Sequence, residues 1–160
     1  MDPTAKRAAY DDPVSVAVPG GRLTLDASYV GADADEIRRQ AREYREGTRT
    51  VFDFPVRYPD GFTGRVMRAM AAIPYGETRT YGNIAADLDS APQSVGAACG
   101  RNPIPLVVPC HRVVAEDGLG GFSAEGGPEL KRRLLAHERS DSVQTTLGDG
   151  GSMRPEGGGE

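Results

Sequence analysis

Two short helical segments separated by a tight break constrain the fold of this chain more than any other feature. Thr80 is a good cap for the first segment, in which apolar residues recur at helical spacing. Residues 89–92 (DSAP) interrupt it, and the second segment begins near Pro92, because proline suits the first turn of a helix. The pair predicts a helix-turn-helix over residues 80–100. Its second helix is rich in Gly and Ala, which lets another backbone, of protein or of DNA, approach closely.

The residues before this motif predict a small α/β unit. Asp33 can cap a helix that ends near Gly47. The loop at residues 58–61 (YPDG) is a domain boundary, so a first domain is predicted over residues 1–59. The elements predicted within it are a β-hairpin over residues 14–25, a helix over residues 35–44 and an edge strand over residues 51–56, which contain a proline.

The residues after the boundary predict a mainly helical second domain over residues 60–139. Besides the helix-turn-helix, the pattern predicts a helix over residues 62–71, a buried strand or extended segment over residues 106–108, and a closing helix over residues 129–138. After Arg139 the chain is poor in apolar residues, and residues 140–160 are expected to be disordered. The predicted fold class is therefore α+β.

Composition narrows the class of protein. The 160 residues carry a net charge of −4, so there is no global basic field, which is weak evidence against nucleic-acid binding. Two cysteines do not make a disulfide framework. The amino-terminal residues lack a secretory apolar region, and no apolar run reaches membrane-spanning length. We expect a soluble, cytoplasmic protein with no membrane association.

One apolar stretch, residues 106–114 (LVVPCHRVV), places Cys110 beside His111 and admits four interpretations. A buried structural thiol is the simplest, but the neighbouring polar side chains would need partners in a core. A zinc site would need Cys99, Cys110, His111 and His137, which lack the usual ligand spacing. A redox dithiol of Cys99 and Cys110 lacks C-x-x-C spacing. The fourth interpretation is a cysteine nucleophile that a histidine activates.

The geometry of such a nucleophile poses a problem. Adjacent residues of an extended chain point in opposite directions, so either the backbone turns at Pro109 or a water bridges Cys110 and His111. A histidine base also needs an orienting partner. The residues alone leave four carboxylates open for that role: Glu116, Asp117, Glu125 and Glu138.

The stretch NPIPLVVPCHRVV, followed by a glycine-rich loop and LLAHE, closely resembles the O6-alkylguanine-DNA alkyltransferase family. The family's PCHRV motif is intact at residues 109–113, and the resemblance covers about residues 62–139, roughly half of the chain. It implies a ribonuclease-H-like amino-terminal domain followed by a winged helix-turn-helix-like domain. It also implies DNA repair by irreversible transfer of an alkyl group from O6 of guanine, with O4 of thymine as a further expected site, to the protein's own cysteine.

The resemblance also implies a catalytic role for five residues. Cys110 is the alkyl acceptor, His111 activates it through a water, and Glu138 holds His111. Asn102 is the hinge that ties the recognition helix to the active-site segment. Tyr81 helps to turn the nucleotide out of the duplex and to protonate the leaving base.

Further residues follow from the same resemblance as binding residues. The backbone carbonyls of Cys110 and Val113 read the guanine amino group. The expected pocket wall comprises Phe122 and Ser123. Cys99, on the Ala- and Gly-rich helix, is expected in the core or in that wall. The expected DNA contacts are Gln93, Ser94, Gly96, Arg112 and Arg101, of which Arg101 lies too late in the helix to take the role of the family's intercalating arginine. For Arg112, a contact with a carboxylate of the protein is as well supported as a contact with DNA.

This chain departs from the family pattern at two positions. Gln93 occupies the place of the family's intercalating arginine, so it can fill the gap in the base stack but adds no charge. Tyr75 stands where the family has cysteine or a similar residue. The predicted protein is a single-turnover transferase that needs no cofactor or metal. It is expected to act as a monomer on double-stranded DNA containing O6-alkylguanine. The alternatives are a lesion sensor without repair activity and a Cys-His hydrolase, for which an oxyanion-hole signature is missing.

Overall fold

The computed structural model describes residues 10–122, 124 and 126–148, and shows a mixed α/β protein with small sheets. Two short 3-10 helices, Ala27–Tyr29 and Cys110–Arg112, lie between the main elements. In chain order those elements are β1 (Pro13–Val18), β2 (Gly21–Asp26), α1 (Ala34–Glu46), α2 (Gly61–Ala71), β3 (Arg79–Thr80), α3 (Tyr81–Asp87), α4 (Pro92–Gly100), β4 (Val113–Val114) and α5 (Gly127–Gly148).

The amino-terminal hairpin and helix form as predicted. Strands β1 and β2 pair antiparallel around a turn in which Gly20 has a φ of 90°, a conformation that favours glycine. The Asp33 side chain accepts a hydrogen bond from the Glu36 amide at 2.9 Å and caps α1. Gly47, with a φ of 84°, ends that helix.

The edge strand predicted over residues 51–56 is wrong. Only one antiparallel bridge, Val30 to Val56, forms in this segment among the described residues. Pro55 has no amide hydrogen and therefore cannot continue a ladder, although its carbonyl accepts from the Gly31 amide at 2.8 Å. The segment is instead an irregular surface chain, whose Phe52, Phe54 and Val56 are partly buried against the core.

The two helices predicted around the break at residues 89–92 are present as α3 and α4. Thr80 and Asn83 form a reciprocal capping box at the start of α3. Asp89 has a φ of 54°, and the Ser90 amide donates to the Ala85 carbonyl at 2.8 Å, so the chain reverses sharply. Pro92 occupies the first turn of α4, as predicted.

Residues 106–108 form a turn, not the predicted strand. Leu106 has a φ of 80°, and the Val108 amide donates back to the Ile104 carbonyl at 3.0 Å. The buried Asn102 amide group holds this turn, because its Nδ2 donates to the Val108 carbonyl at 2.9 Å and its Oδ1 accepts from the Ile104 amide at 3.1 Å. These local bonds satisfy the backbone without a neighbouring strand.

The closing helix is longer than predicted. Helix α5 continues to Gly148, whereas we expected helix only to Glu138 and disorder from residue 140. No glycine or proline occurs between residues 129 and 147, so nothing in the backbone chemistry ends the helix earlier. The rest of the expected tail, residues 149–160, lies outside the described residues.

One hydrophobic cluster includes residues from both sides of the predicted boundary at residue 59. Leu23 and Ile37 from the first part share it with Met67, Ile84 and Leu130 from the second. None of the helices in the described part of the chain has the length and apolar character needed to cross a membrane.

Candidate active site

A cavity of about 570 Å³ lies where α3, α4, the Cys110 turn and the loop after Gly120 meet. Its size falls in the range of about 300–1,000 Å³ that is usual for ligand pockets. The cavity brings together six of the residues predicted for the site, namely Tyr81, Gln93, Gly96, Cys99, Cys110 and Phe122.

The backbone turns at Pro109, which is one of the two arrangements that the sequence left open. Pro109 has a ψ of 70°, and Cys110–Arg112 form a single 3-10 turn in which the Arg112 amide donates to the Pro109 carbonyl at 2.9 Å. The Cys110 thiol thereby lines the cavity while His111 is buried in the interior. The Cys110 carbonyl accepts from the Val113 amide, which leaves it one further lone pair.

His111 contacts one of the four candidate carboxylates. Its Nε2 lies 2.7 Å from Oε2 of Glu138. Burial lowers the pKa of His111 below its ordinary value, and the neighbouring Glu138 offsets this only in part. The ring is therefore neutral at neutral pH, with Nε2 donating to the carboxylate. The buried Nδ1 has no hydrogen-bond partner among the described residues, so it is the nitrogen left to accept a proton.

Glu138 accepts hydrogen bonds from four residues. Its Oε1 accepts from Arg112 Nε at 2.9 Å and from the Gly76 amide at 3.2 Å. Its Oε2 accepts from Arg112 Nη2 at 3.0 Å and from the Tyr44 hydroxyl at 2.6 Å, besides His111. Burial acts to raise the pKa of Glu138, but His111 and Arg112 outweigh it and hold that pKa below its usual range. The carboxylate is thus ionised and fixed in orientation.

The contacts of Arg112 favour a carboxylate over DNA as its partner. The side chain is buried, its Nη1 donates to the Ile73 carbonyl at 2.7 Å, and its other nitrogens bind Glu138. Its guanidinium also lies 5.6 Å from the centre of the Tyr75 ring. Of the two partners held as equal, the carboxylate is the one that it contacts. Removing a guanidinium from water costs free energy, and the ion pair with Glu138 offsets this cost in the interior.

Tyr81 lies between the cavity and a buried lysine that the sequence analysis missed. Lys131 Nζ donates to the Gly121 carbonyl at 3.0 Å and to the Tyr81 hydroxyl at 3.4 Å, and it lies 5.5 Å from the Tyr81 ring centre. Burial lowers the pKa of Lys131, although the nearby thiols of Cys110 and Cys99 act to raise it. Burial, with the same two thiols, raises the pKa of Tyr81 to about 12.

A sequence signal for Lys131 existed. It lies seven residues before Glu138, two helical turns earlier, so the two side chains share the face of α5 that also carries Leu134 and Leu135. No comparable signal pointed to the hydroxyl of Tyr44, which comes from the amino-terminal part of the chain. His137, a candidate ligand in the zinc alternative, instead has its Nε2 2.8 Å from the Tyr44 carbonyl.

The remaining predicted residues are distributed around the cavity mouth or outside it. Gln93 and Ser94 are exposed on α4, next to the partly buried Gly96. Arg101 Nε donates to Thr63 Oγ1 at 3.0 Å, at the far end of that helix. Val113 is buried and pairs with Arg79. Ser123 and Glu125 lie outside the described residues, and Glu116 and Asp117 are exposed.

The predicted zinc alternative does not assemble. Within residues 10–122, 124 and 126–148, no three His, Cys, Asp or Glu side chains come together as a metal site. Cys99 instead lies 3.5 Å from the Met70 sulfur, and burial raises the pKa of its thiol to about 12. Cys99 is therefore a protonated, unreactive thiol at neutral pH.

The chain is similar to several proteins of known class. Residues 61–140 match the family described as 6-O-methylguanine DNA methyltransferase, DNA binding domain. A methylated-DNA–protein-cysteine methyltransferase of Archaeoglobus fulgidus is 40% identical over 134 residues, which cover 78% of this chain and 90% of that protein. The protein of the same name from Metallosphaera sedula is 48% identical over 120 residues, 74% of this chain and 72% of its own.

A solved structure extends the similarity to most of the fold. The Mycobacterium tuberculosis OGT in complex with DNA is 34% identical, with a TM-score of 0.70. The match covers 81% of this chain and 94% of that protein. Both parts of the chain, and not only the segment with the cysteine motif, therefore follow a shared architecture.

Proposed function

The chain belongs to the 6-O-methylguanine DNA methyltransferase family, and from that premise we propose that Cys110 is the alkyl acceptor of its repair reaction. The protein is a DNA-repair enzyme that transfers an alkyl group from DNA to one of its own cysteines. The observation that carries the assignment is the position of Cys110 at the cavity, directly after Pro109 and before a histidine held by an ionised carboxylate. Cys99, the other thiol of the cavity, has no such neighbour among the described residues.

The thiol must lose its proton before it can attack, and His111 is the base that supports this step. Its Nε2 donates to Glu138, so Nδ1 carries the lone pair. A water bridging Nδ1 and the Cys110 thiol would carry the proton from sulfur to nitrogen. The imidazolium that forms is stabilised by Glu138, which stays ionised throughout.

The displacement joins Cys110 Sγ to the alkyl carbon and breaks the bond from that carbon to guanine O6. The electron pair of the broken bond stays with the base, which then takes up a proton. Tyr81 is the donor that we assign, because it lines the cavity with Cys110 and its hydroxyl is protonated at neutral pH. Lys131, 3.4 Å from that hydroxyl, can return a proton to Tyr81. The products are a thioether on Cys110 and unmodified guanine, so each protein molecule reacts once.

Double-stranded DNA containing O6-alkylguanine is the substrate that we propose. A base in a duplex must leave the stack to reach Cys110, and the cavity supplies the space for it. Helix α4 presents Gln93, Ser94 and the small Gly96 beside the cavity mouth, which suits close approach to a minor groove. We infer that the carbonyls of Cys110 and Val113 read the base and that Asn102 couples α4 to the Cys110 segment.

The specific fold of each part of the chain is inferred from the family resemblance. We infer that α3 and α4 with the β3–β4 pair form a winged helix-turn-helix and that the amino-terminal part is ribonuclease-H-like. A monomeric state and a cytoplasmic location likewise stay predictions from the sequence.

The decisive experiment is mass spectrometry of the protein after mixing with excess duplex that carries one O6-methylguanine, at low and at high potassium chloride. We expect one methyl group, on the peptide that contains Cys110. Cys110→Ser should bind the duplex without accepting methyl, and Cys99→Ser should accept it normally. Binding without transfer by the folded wild type would instead support the lesion sensor.

A further inference from the structure

A groove lined with arginine lies in the amino-terminal part of the chain and shares no lining residue with the Cys110 cavity. It has a volume of about 220 Å³ and runs between α1 and the β1–β2 hairpin. Its lining comprises Ser15, Val16, Ala17, Arg22, Arg38, Arg42 and Arg45. All four charged members are therefore cations, in a protein whose net charge is −4.

Helix α1 separates its charges onto two flanks. Arg38, Arg42 and Arg45 follow one another at intervals of four and three residues, so they share one side of the helix. On the other flank, Arg39 is neutralised by Glu36 at 2.6 Å and by Glu43 at 2.7 Å. The flank that faces the groove is the one with net positive charge.

The groove arginines are held mainly by neutral groups. Arg22 Nε donates to Ser15 Oγ at 3.0 Å, and Arg45 Nη1 donates to the Ala17 carbonyl at 3.1 Å. Arg38 reaches only the fully exposed Asp35, at 3.9 Å. Arg42 has no ion pair with the described residues. These contacts orient the guanidinium groups but leave most of their charge uncompensated.

A repeated phosphate fits this arrangement better than a single anion. Guanidinium groups bind phosphate oxygens in a bidentate manner. Arg38 and Arg45 are seven residues apart, which is about 10 Å along a helix axis. Phosphates follow one another about every 3.4 Å along the axis of each DNA strand, so a helix lying along the duplex spans about four phosphates of one backbone, and its three arginines can meet three of them.

We propose that the groove is a second DNA-contact surface that binds the phosphate backbone of duplex DNA, without reading bases or damage. The proposal rests on the proposed function, because DNA is the polyanion that the protein must handle. Such a surface adds charge to the DNA contact at a distance from Gln93, which lacks the charge of the family's arginine. It would hold the protein on undamaged duplex while lesions are sought.

The test compares two double variants that remove the same charge. Arg38→Gln with Arg42→Gln removes two positive charges from the α1 side of the groove. Arg39→Gln with Arg132→Gln removes two exposed arginines that are paired with Glu36, Glu43 and Glu129. Affinity for undamaged duplex is measured by fluorescence anisotropy over a series of potassium chloride concentrations, with circular dichroism to verify folding.

We expect the groove variant to bind about tenfold more weakly at low salt and to lose about two units of the slope of log affinity against log salt. The control should keep both values, and Arg38→Lys with Arg42→Lys should keep most of the affinity. Methyl transfer from a saturating lesion duplex should be unchanged in every variant.

Equal affinity and slope in the groove variant and the control would overturn the proposal. So would loss of the difference on adding inorganic phosphate at constant ionic strength, since the groove would then be a site for free phosphate. Failure of methyl transfer by the wild type would count against the proposed function and would leave the binding comparison intact.

Discussion

The hydroxyl of Tyr44 donates a 2.6 Å hydrogen bond to Oε2 of Glu138, a residue 94 positions later in the chain. Both side chains are fully buried. Tyr44 belongs to α1, so the amino-terminal part of the chain supplies a donor to the carboxylate that holds His111. The orientation of the base therefore depends on packing between the two parts of the chain.

Tyr44→Phe should test this dependence. The ring packing is kept, but a hydrogen bond to an ionised group is lost, which lowers the free energy of unfolding by about 1.5–3 kcal/mol. The rate of methyl transfer should fall because Glu138 is less firmly held, and affinity for undamaged DNA should not change. Tyr58→Phe is the control, measured by urea unfolding and single-turnover transfer. A normal transfer rate would mean that Tyr44 acts on stability alone.

Arg112→Lys distinguishes an interior clamp from a DNA contact. Lysine keeps the charge but cannot bind both oxygens of Glu138 and the Ile73 carbonyl with a fixed planar group. We expect slower transfer and a lower free energy of unfolding, with the salt dependence of DNA binding unchanged. A decrease of about one unit in the slope of log DNA affinity against log salt, with normal transfer at saturation, would instead indicate that Arg112 contacts DNA.

Acid should destabilise the fold in two steps. The pKa of His111 lies below its ordinary value of 6.5, so below that pH the unfolded chain binds a proton that the folded protein excludes. The pKa of Glu138 lies below 4.5, so the unfolded chain gains a second proton as the pH falls past that value. The free energy of unfolding therefore decreases from about pH 6.5 downward because of His111, and Glu138 adds a further decrease below about 4.5.

Urea unfolding between pH 8 and about pH 3 measures both decreases. His111→Asn, compared with the wild type, should lose the first decrease and keep the second. A wild-type stability that is constant from pH 7 to pH 5 would show that His111 does not titrate with folding.

The starts of the helices were predictable because capping and first-turn residues near each start determine them. Asp33, Thr80 and Pro92 each mark a helix start that depends only on neighbouring residues. The partner of His111 was not predictable from the residues alone, because Glu138 lies 27 positions away and three other carboxylates were available. The resemblance named it, and the structure shows the contact.

The errors have a common physical origin. The segments at residues 51–56 and 106–108 have strand-like composition, but Pro55 and the side-chain bonds of Asn102 give their backbones other partners. Arg112 lies within the cysteine motif, and its direction depends on a 3-10 turn that composition does not reveal. Contacts between distant segments, such as Tyr44 with Glu138, leave no local pattern at all.

Lys131→Met should slow transfer without preventing binding. The variant keeps an unbranched chain in the buried position but removes the donor to Tyr81 and Gly121. If Lys131 returns the proton to Tyr81, the rate of methyl transfer falls by tenfold or more and its pH dependence changes. Arg132→Met, on the exposed side of the same helix, is the control. An unchanged pH profile at a lower rate would assign Lys131 a purely structural role.

Gln93→Arg should strengthen DNA binding, because the side chain is exposed on α4 at the cavity mouth and nothing among the described residues pairs with it there. An added charge near the phosphates raises the slope of log affinity against log salt by about one unit.

Gln93→Ala tests whether Gln93 also fills the gap that the extruded base leaves in the duplex. If it does, the variant should transfer methyl more slowly at saturating DNA, because no side chain then occupies that gap and the extruded state is less stable. Ser94→Arg adds the same charge one position along and serves as the control for arginine. Anisotropy gives the affinity and quenched-flow transfer gives the rate. Equal gains from both arginine variants, with normal transfer by Gln93→Ala, would show that position 93 contributes charge alone and that another residue supports the opened duplex.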